Sequence, residues 1–272
     1  MKTGDLSPRI SAAAGYLLCL VLIPIYVNMF PIWKSLSTLC GDDIFIYLPL
    51  VLLVLLIGCI LGIWVMAGKS PAPINKVSLF LGILFCCFGL LITDPEFPVK
   101  RVHVVEYAFL GLVARYAMSH FLHGLPLLFF SVIFAALLGI HDEFLQGFHP
   151  ARTFGLRDMG VNLLGSLGGG LIWHGLHLFS KQQTSVTKIT DVCFVCWLSV
   201  SVLMLVWPAQ YYRGLVVEMW IALPLLAAAA YYFLYRNKFS PELSHGISVL
   251  ATTAIPLAGY PLLTRIPGIV FY

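Results

Sequence analysis

The chain has 272 residues, 60% of them hydrophobic and only 10% charged, with a mean hydropathy of +0.94. Soluble globular domains carry about 25% charged residues, so the composition excludes one and specifies an all-α, polytopic transmembrane bundle in contact with the lipid bilayer. The formal charge of +4 is small and scattered, so no nucleic-acid partner is expected.

The opening stretch, MKTGDLSPRISAAAGYLLCLVLIPIYVNMF, has a basic start, but its apolar run is too long for a signal-peptide core and no A-x-A site follows. It reads as an uncleaved first helix. A crossing needs about 20 apolar residues. On that measure spans fall at roughly 11–32, 44–67, 77–93, 102–120, 125–145, 159–179, 191–208, 214–235 and 246–263, about nine helices. Gly68, Pro71 and Pro73 punctuate one linker, Asp94, Pro95 and Pro98 the next, and Ser240 and Pro241 a later one.

Within the runs, the G-x-x-x-G pairs Gly58/Gly62 and Gly165/Gly169 are expected to let helix backbones approach closely. Pro224 and Pro256 are expected to kink their helices. Glu218, near the end of the eighth run, is expected to reach the interface. Trp33, Trp173, Trp207 and several tyrosines near span ends read as interfacial anchors. Six of the seven cysteines lie in apolar runs and are expected to pack as small hydrophobes; Cys193 and Cys196 form a CxxC with only apolar neighbours.

Orientation follows from Lys and Arg in the short loops. A cytoplasmic N-terminus puts Lys2, Arg9, Lys69, Lys76, Lys181, Lys188, Arg236 and Lys238 inside, and Lys34, Arg213, Arg265, Lys100, Arg101, Arg152 and Arg157 outside. Setting the last four aside as functional leaves eight against three, which places the chain's polar clusters on the extracytoplasmic face.

Those clusters are dense. Asp94, Glu96, Glu106, Asp142, Glu143 and Asp158 are half of the 12 acidic residues, and His103, His120, His123, His141 and His149 are five of the 8 histidines. Ionisable groups at a membrane boundary are expensive and mark function by default. His103 precedes Glu106 by three residues and Tyr107 by four, so the three share one helix face. Asp142 and Gln146 are similarly spaced. The apolar run Leu125–Ile140 is too short to cross, so its helix must continue through His141, Asp142 and Glu143. A carboxylate then lies at or below headgroup level and needs a partner. Arg152 and Arg157 are the nearest candidates, on a segment that Pro150 and Gly155 allow to fold back as a lid or as a re-entrant turn. Asp158 stands where an N-cap would, and Asn162, Gly165 and Gly169 follow it on one face.

DEFLQGFHPARTFGLRDMGVNLLGSLGG resembles the signature of the VanZ-like membrane proteins: E-x-x-Q at a helix end, an Arg, then D-x-x-x-N-x-x-G, here Glu143, Gln146, Arg152, Asp158, Asn162 and Gly165. HVVEYAFLG resembles the family's first motif through His103, Tyr107 and Gly111. The resemblance covers roughly residues 75–180 and implies a VanZ-like domain there, with extra membrane helices at 1–74 and 181–272, in a bacterial cytoplasmic (inner) membrane. The family takes its name from a teicoplanin-resistance protein; its general biochemical activity is unsettled.

The expected function is a site that binds, and in one version modifies, an anionic lipid or lipid-linked cell-envelope intermediate. Glu143, His103 and Asp158 are the catalytic candidates. Arg152, Gln146, Asn162, Glu106, Tyr107, Asp142 and Arg157 are the substrate-binding candidates. Arg152 would grip a phosphate, Glu143 or Asp142 would act as base and His103 as proton donor. No cofactor is expected; a divalent cation on His103, Glu106 and Glu143 is a variant. The alternative is a non-catalytic binding or transport protein whose charged cluster is structural.

Overall fold

The structure is a computed structural model that describes residues 6–41, 43–66, 74–150, 152–179 and 186–272, and contains no strand among them. Lys2, Gly68, Lys69, Pro71, Pro73 and Lys181 lie outside the described residues. The helices are α1 (Leu6–Asn28), α2 (Phe30–Cys40), α3 (Ile44–Met66), α4 (Lys76–Ile92), α5 (Val102–Met118), α6 (Gly124–Gly147), α7 (Leu156–Gly175), α8 (Ile189–Ala209), α9 (Leu223–Tyr235), α10 (Pro241–Ala254) and α11 (Tyr260–Leu263).

Among the described residues, four helical segments are long and apolar enough to cross a membrane: Pro8–Asn28, Gly124–Gly147, Ile189–Tyr212 and Pro241–Leu263. A fifth arises if Pro31–Cys40 and Ile44–Cys59, bent by 115° at their junction, count as one broken span. Helix α6 runs on through His141, Asp142 and Glu143, as the short apolar run required. Helix α2 was not anticipated; Pro31 at its first turn has the fixed φ that starts a helix, and its 11 residues fall below the length of a crossing.

The two interior prolines do not kink continuous helices. Pro224 lies in the first turn of α9, after an irregular stretch and a 3-10 turn at Met219–Ala222. Pro256 lies in the 3-10 turn Ile255–Gly259 that separates α10 from α11. Glu218, in the irregular stretch, faces Arg265 Nη2 at 3.7 Å, both about half exposed.

Helix α7 occupies the centre and packs on α4, α5 and α6. Its glycines make this possible. A Cβ on Gly169 would lie 2.6 Å from Ala108 Cα on α5, one on Gly165 2.8 Å from the Val104 carbonyl oxygen, and one on Gly168 2.5 Å from Cys86 Sγ on α4. Gly82 answers from α4, where a Cβ would meet the Gly168 oxygen at 2.7 Å. Trp173 is fully buried and its Nε1 donates to the Ala108 carbonyl at 2.9 Å, locking α7 to α5 instead of anchoring at the interface. The Gly58/Gly62 pair has open space around it among the described residues, so of the two G-x-x-x-G pairs only Gly165/Gly169 serves close approach. Among the cysteines, Cys19 and Cys86 are buried, whereas Cys40, Cys59, Cys87, Cys193 and Cys196 are exposed and face outward instead of packing.

Gly169→Ala is expected to destabilise the protein by about 1–3 kcal/mol, because backbone atoms on α5 cannot move aside for the methyl group. Gly58→Ala should be neutral or slightly stabilising through helix propensity. Thermal unfolding in detergent compares the two; equal effects would remove the close-packing account of α7.

Candidate functional site

At one end of the bundle the ends of α4, α5, α6 and α7 bring the two polar clusters together. His103, Glu106, Tyr107, Asp142, Glu143, Gln146, Asp158 and Asn162 are all buried. His103 Nδ1 lies 3.0 Å from Glu106 Oε2. The Tyr107 hydroxyl donates to Asp142 Oδ2 at 2.8 Å, linking α5 to α6. Asn162 Nδ2 reaches the Gly139 carbonyl at 3.5 Å, linking α7 to α6 as its spacing suggested. Tyr26 of α1 donates to the Glu106 carbonyl at 3.0 Å and closes the cluster from the side.

The pairings differ from expectation in three places. Arg152 donates to Gln146 Oε1 instead of forming a close pair with Glu143, although it remains within electrostatic reach of that carboxylate. Glu143 Oε2 instead accepts the Gly155 backbone N–H at 3.2 Å. Arg157 turns outward to Asp94 Oδ2 at 3.1 Å, in an exposed pair away from the buried cluster. Asp158 is the third residue of α7, not its N-cap, since Gly155 occupies the cap with extended backbone. Its carboxylate still lies in the first turn, where the helix dipole favours an anion.

The partner of Asp158 is Lys100, whose Nζ donates to Oδ2 at 2.6 Å. Lys100 stands in the 3-10 turn Pro98–Arg101. The signal for it was present in the sequence: it opens the run holding His103 and Glu106, but a lysine beside a span also reads as a topology marker. Lys100, His103, Glu106 and Arg152 share a cleft with Tyr26 and with Trp33 of α2. At about 30 Å³ the cleft is water-sized.

Behind this lining the electrostatics are unusual. Glu143 is within electrostatic reach of Asp158, Asp142, His103 and Arg152, so the two clusters meet at one end of the bundle; of the six residues expected in one pocket, His103, Glu106 and Arg152 line the cleft, whereas Glu143, Asp158 and Asn162 do not. Glu106 Oε1, Asp142 Oδ1, Glu143 Oε1 and Asp158 Oδ1 are buried without a hydrogen-bond partner. Four carboxyl groups thus face Lys100, Arg152 and His103, with one oxygen of each unsatisfied. Asp191 at the opposite end shows what a satisfied buried carboxylate looks like: Oδ2 accepts from Ser240 Oγ at 2.6 Å and Lys188 N at 2.8 Å, and Oδ1 from Ser240 N at 3.0 Å. Among the described residues no group of three or more His, Cys, Asp or Glu side chains is placed to hold one metal ion, which sets aside the divalent-cation variant on His103, Glu106 and Glu143.

The loop carrying Arg152 is pinned by a distant part of the chain. Phe154 N donates to the Tyr272 carbonyl at 3.0 Å, and Tyr272 N to the Gly147 carbonyl at 2.6 Å. Phe271 is buried against Phe144, Phe148 and Phe154. Arg213 donates to the Phe154 carbonyl, and Gly214 N to the Phe271 carbonyl at 2.6 Å. His141, beside Asp142 in sequence, faces away: Nε2 donates to the Thr253 carbonyl at 2.7 Å, and Nδ1 lies 2.9 Å from the Tyr260 hydroxyl.

Comparison with protein-family models, with curated proteins and with solved structures gives no match.

Lys100→Met leaves the Asp158 carboxylate buried and uncompensated, and is expected to cost up to about 3–5 kcal/mol. Lys100→Met combined with Asp158→Leu should recover all but about 1 kcal/mol, the part that the helix dipole contributes. Thermal unfolding of the two single variants and the double variant measures the coupling. Additive losses would mean that the pair carries no interaction of its own.

Proposed function

We propose that the chain is a VanZ-like protein of nine membrane crossings that binds a phosphate-bearing lipid or lipid-linked cell-envelope intermediate at the extracytoplasmic face of a bacterial cytoplasmic membrane. The observation that carries this reading is the juxtaposition of Lys100 and Arg152 at a cleft backed by buried carboxyl groups with unsatisfied oxygens. Two cations on one rim suit a phosphate, which Arg can hold through two parallel hydrogen bonds. A belt of exposed apolar side chains, among them Leu17, Leu55, Phe80, Leu125, Leu203 and Phe233, suits a lipid surround. The motif residues Glu143, Gln146, Arg152, Asp158 and Asn162 gather where α6 ends and α7 begins, on two helices and the loop between them, the arrangement a shared role requires.

In this reading the headgroup enters when the segment from Phe148 to Gly155 lifts, since the closed cleft admits only water-sized groups. Lifting breaks the Gly155 N–H bond to Glu143 and frees that carboxylate to act as base. His103, held at Nδ1 by Glu106, exchanges a proton through Nε2. Asp158 keeps Lys100 in position, and Gln146 does the same for Arg152.

A second reading has its own support. Half-satisfied carboxyl groups at helix ends also suit a cluster that shares protons and holds α5, α6 and α7 together in a non-catalytic binding or transport protein.

The two separate on lipid retention. Wild-type protein and Glu143→Gln, purified in mild detergent, are expected to carry a phosphate-bearing lipid detectable by mass spectrometry, and Arg152→Met to lose most of it while remaining folded. Equal lipid content in all three would sink the lipid-binding reading.

The orientation has a separate check. In a cysteine-free background, Thr153→Cys should react with an impermeant thiol reagent added to intact cells, and Lys238→Cys only after lysis. The reverse pattern would invert the topology.

A further inference from the structure

A second group of ionisable side chains lies at the other end of α5 and α7 and shares no residue with the proposed lipid site. Arg115, near the end of α5, is fully buried. Its Nε donates to the Leu178 carbonyl at 2.8 Å, but neither Nη1 nor Nη2 has a hydrogen-bond partner. None of the ion pairs among the described residues includes it. His174, in the last turn of α7, is within electrostatic reach of Arg115 and has a buried Nδ1 without a partner. The His177 ring lies 6.3 Å from that of His174.

The backbone here is held in an uncommon form. His177 has φ of 52° and Phe179 of 57°, both in the left-handed region. His177 N donates to the His174 carbonyl at 2.9 Å and Leu178 N to the Trp173 carbonyl at 3.0 Å, the helix-closing arrangement for which glycine is the usual residue. An imidazole kept where glycine would be unstrained, beside a guanidinium with a vacant edge, is the kind of outlier from which a functional hypothesis runs.

A guanidinium does not shed its proton in a protein, so burial cannot be relieved by neutralising it. Two Nη groups on one planar fork match two oxygens of a phosphate or carboxylate. Arg115 follows His103 by 12 residues on α5, roughly 18 Å along the helix axis, which puts it in the half of the bundle nearer the opposite boundary. Among the described residues that boundary carries Arg9, Lys76, Lys188, Arg236 and Lys238 against Asp191 and Glu242. Such a face attracts anionic lipids.

We propose that Arg115, with His174 and His177, forms an oxyanion-binding site that takes the phosphate of a phospholipid headgroup or a free phosphate at the face opposite the Glu143 cluster. The test uses the full chain in neutral detergent, in an Arg152→Met background so that the other site does not contribute. Tm is measured with phosphatidylglycerol, with phosphatidylcholine and with inorganic phosphate. Phosphatidylglycerol is expected to raise Tm by a few degrees, and Arg115→Met and His174→Leu to abolish or weaken that rise. A comparable Arg115-dependent rise with inorganic phosphate identifies a free anion as the ligand; a rise with phosphatidylglycerol alone identifies the lipid. Should Arg115→Met fail to fold, His174→Leu and native mass spectrometry of the Arg152→Met protein decide. No rise with either anion, or a rise unchanged by His174→Leu with no phosphate or phosphatidylglycerol adduct retained, overturns the proposal.

Discussion

Backbone contact between α7 and its neighbours is the constraint on which the rest of the structure depends. Gly165 and Gly169 let α7 approach α5 at Val104 and Ala108, and Gly168 lets it approach α4 at Cys86 and Gly82. At such separations the polar residues one or two turns further along must also meet. Asp158 arrives beside Lys100, and Asn162 beside the Gly139 carbonyl, because the helices beneath them cannot spread. Association in lipid gains little from a hydrophobic driving force, so close packing and buried hydrogen bonds such as Trp173 to Ala108 have to supply it.

Charge is handled differently at the two ends of the bundle. Asp191, 2% exposed, is bonded through both oxygens and ties the start of α8 to the residue before α10. Glu106, Asp142, Glu143 and Asp158 are equally hidden, yet each keeps one unsatisfied oxygen. Burial of an incompletely bonded charge costs several kcal/mol. The same chain therefore contains both a carboxylate built for architecture and four that leave bonding capacity unused, and one of the four, Glu106, lines the cleft with Lys100 and Arg152.

The sequence revealed the helices and the convergence of the site more readily than the pairings within it. The continuation of α6 through Glu143 followed from counting apolar residues against membrane thickness, and the shared face of His103, Glu106 and Tyr107 from helical spacing. Arg152 was within reach of either Glu143 or Gln146, and only the path of the loop after Phe148 decided for Gln146. Asp158 looked like a cap because it precedes an apolar run; Gly155, three residues earlier, takes the extended backbone instead. Arg115 passed unnoticed because one cation in an otherwise apolar segment does not interrupt a hydropathy pattern. Helix α2 was too short to register as a span. In the last third of the chain, Pro224 and Pro256 were expected to kink continuous helices; Pro224 instead starts α9, where its missing N–H costs no bond, and Pro256 sits in the 3-10 turn after α10.

The bonds from Phe271 and Tyr272 to the loop around Arg152 have a consequence for assembly. Helices α5, α6 and α7 can insert and pack as soon as they are synthesised, but the loop between α6 and α7 is held only by its bonds to Gln146 and Glu143 until Phe271 seats against Phe144, Phe148 and Phe154. That cannot happen before α8, α9 and α10 are in place. A chain cut before Phe271 would hold its acidic cluster with the covering loop less constrained, and restoring Phe271 and Tyr272 would close it. Closure of the site thereby depends on a segment that none of the site's own helices supplies.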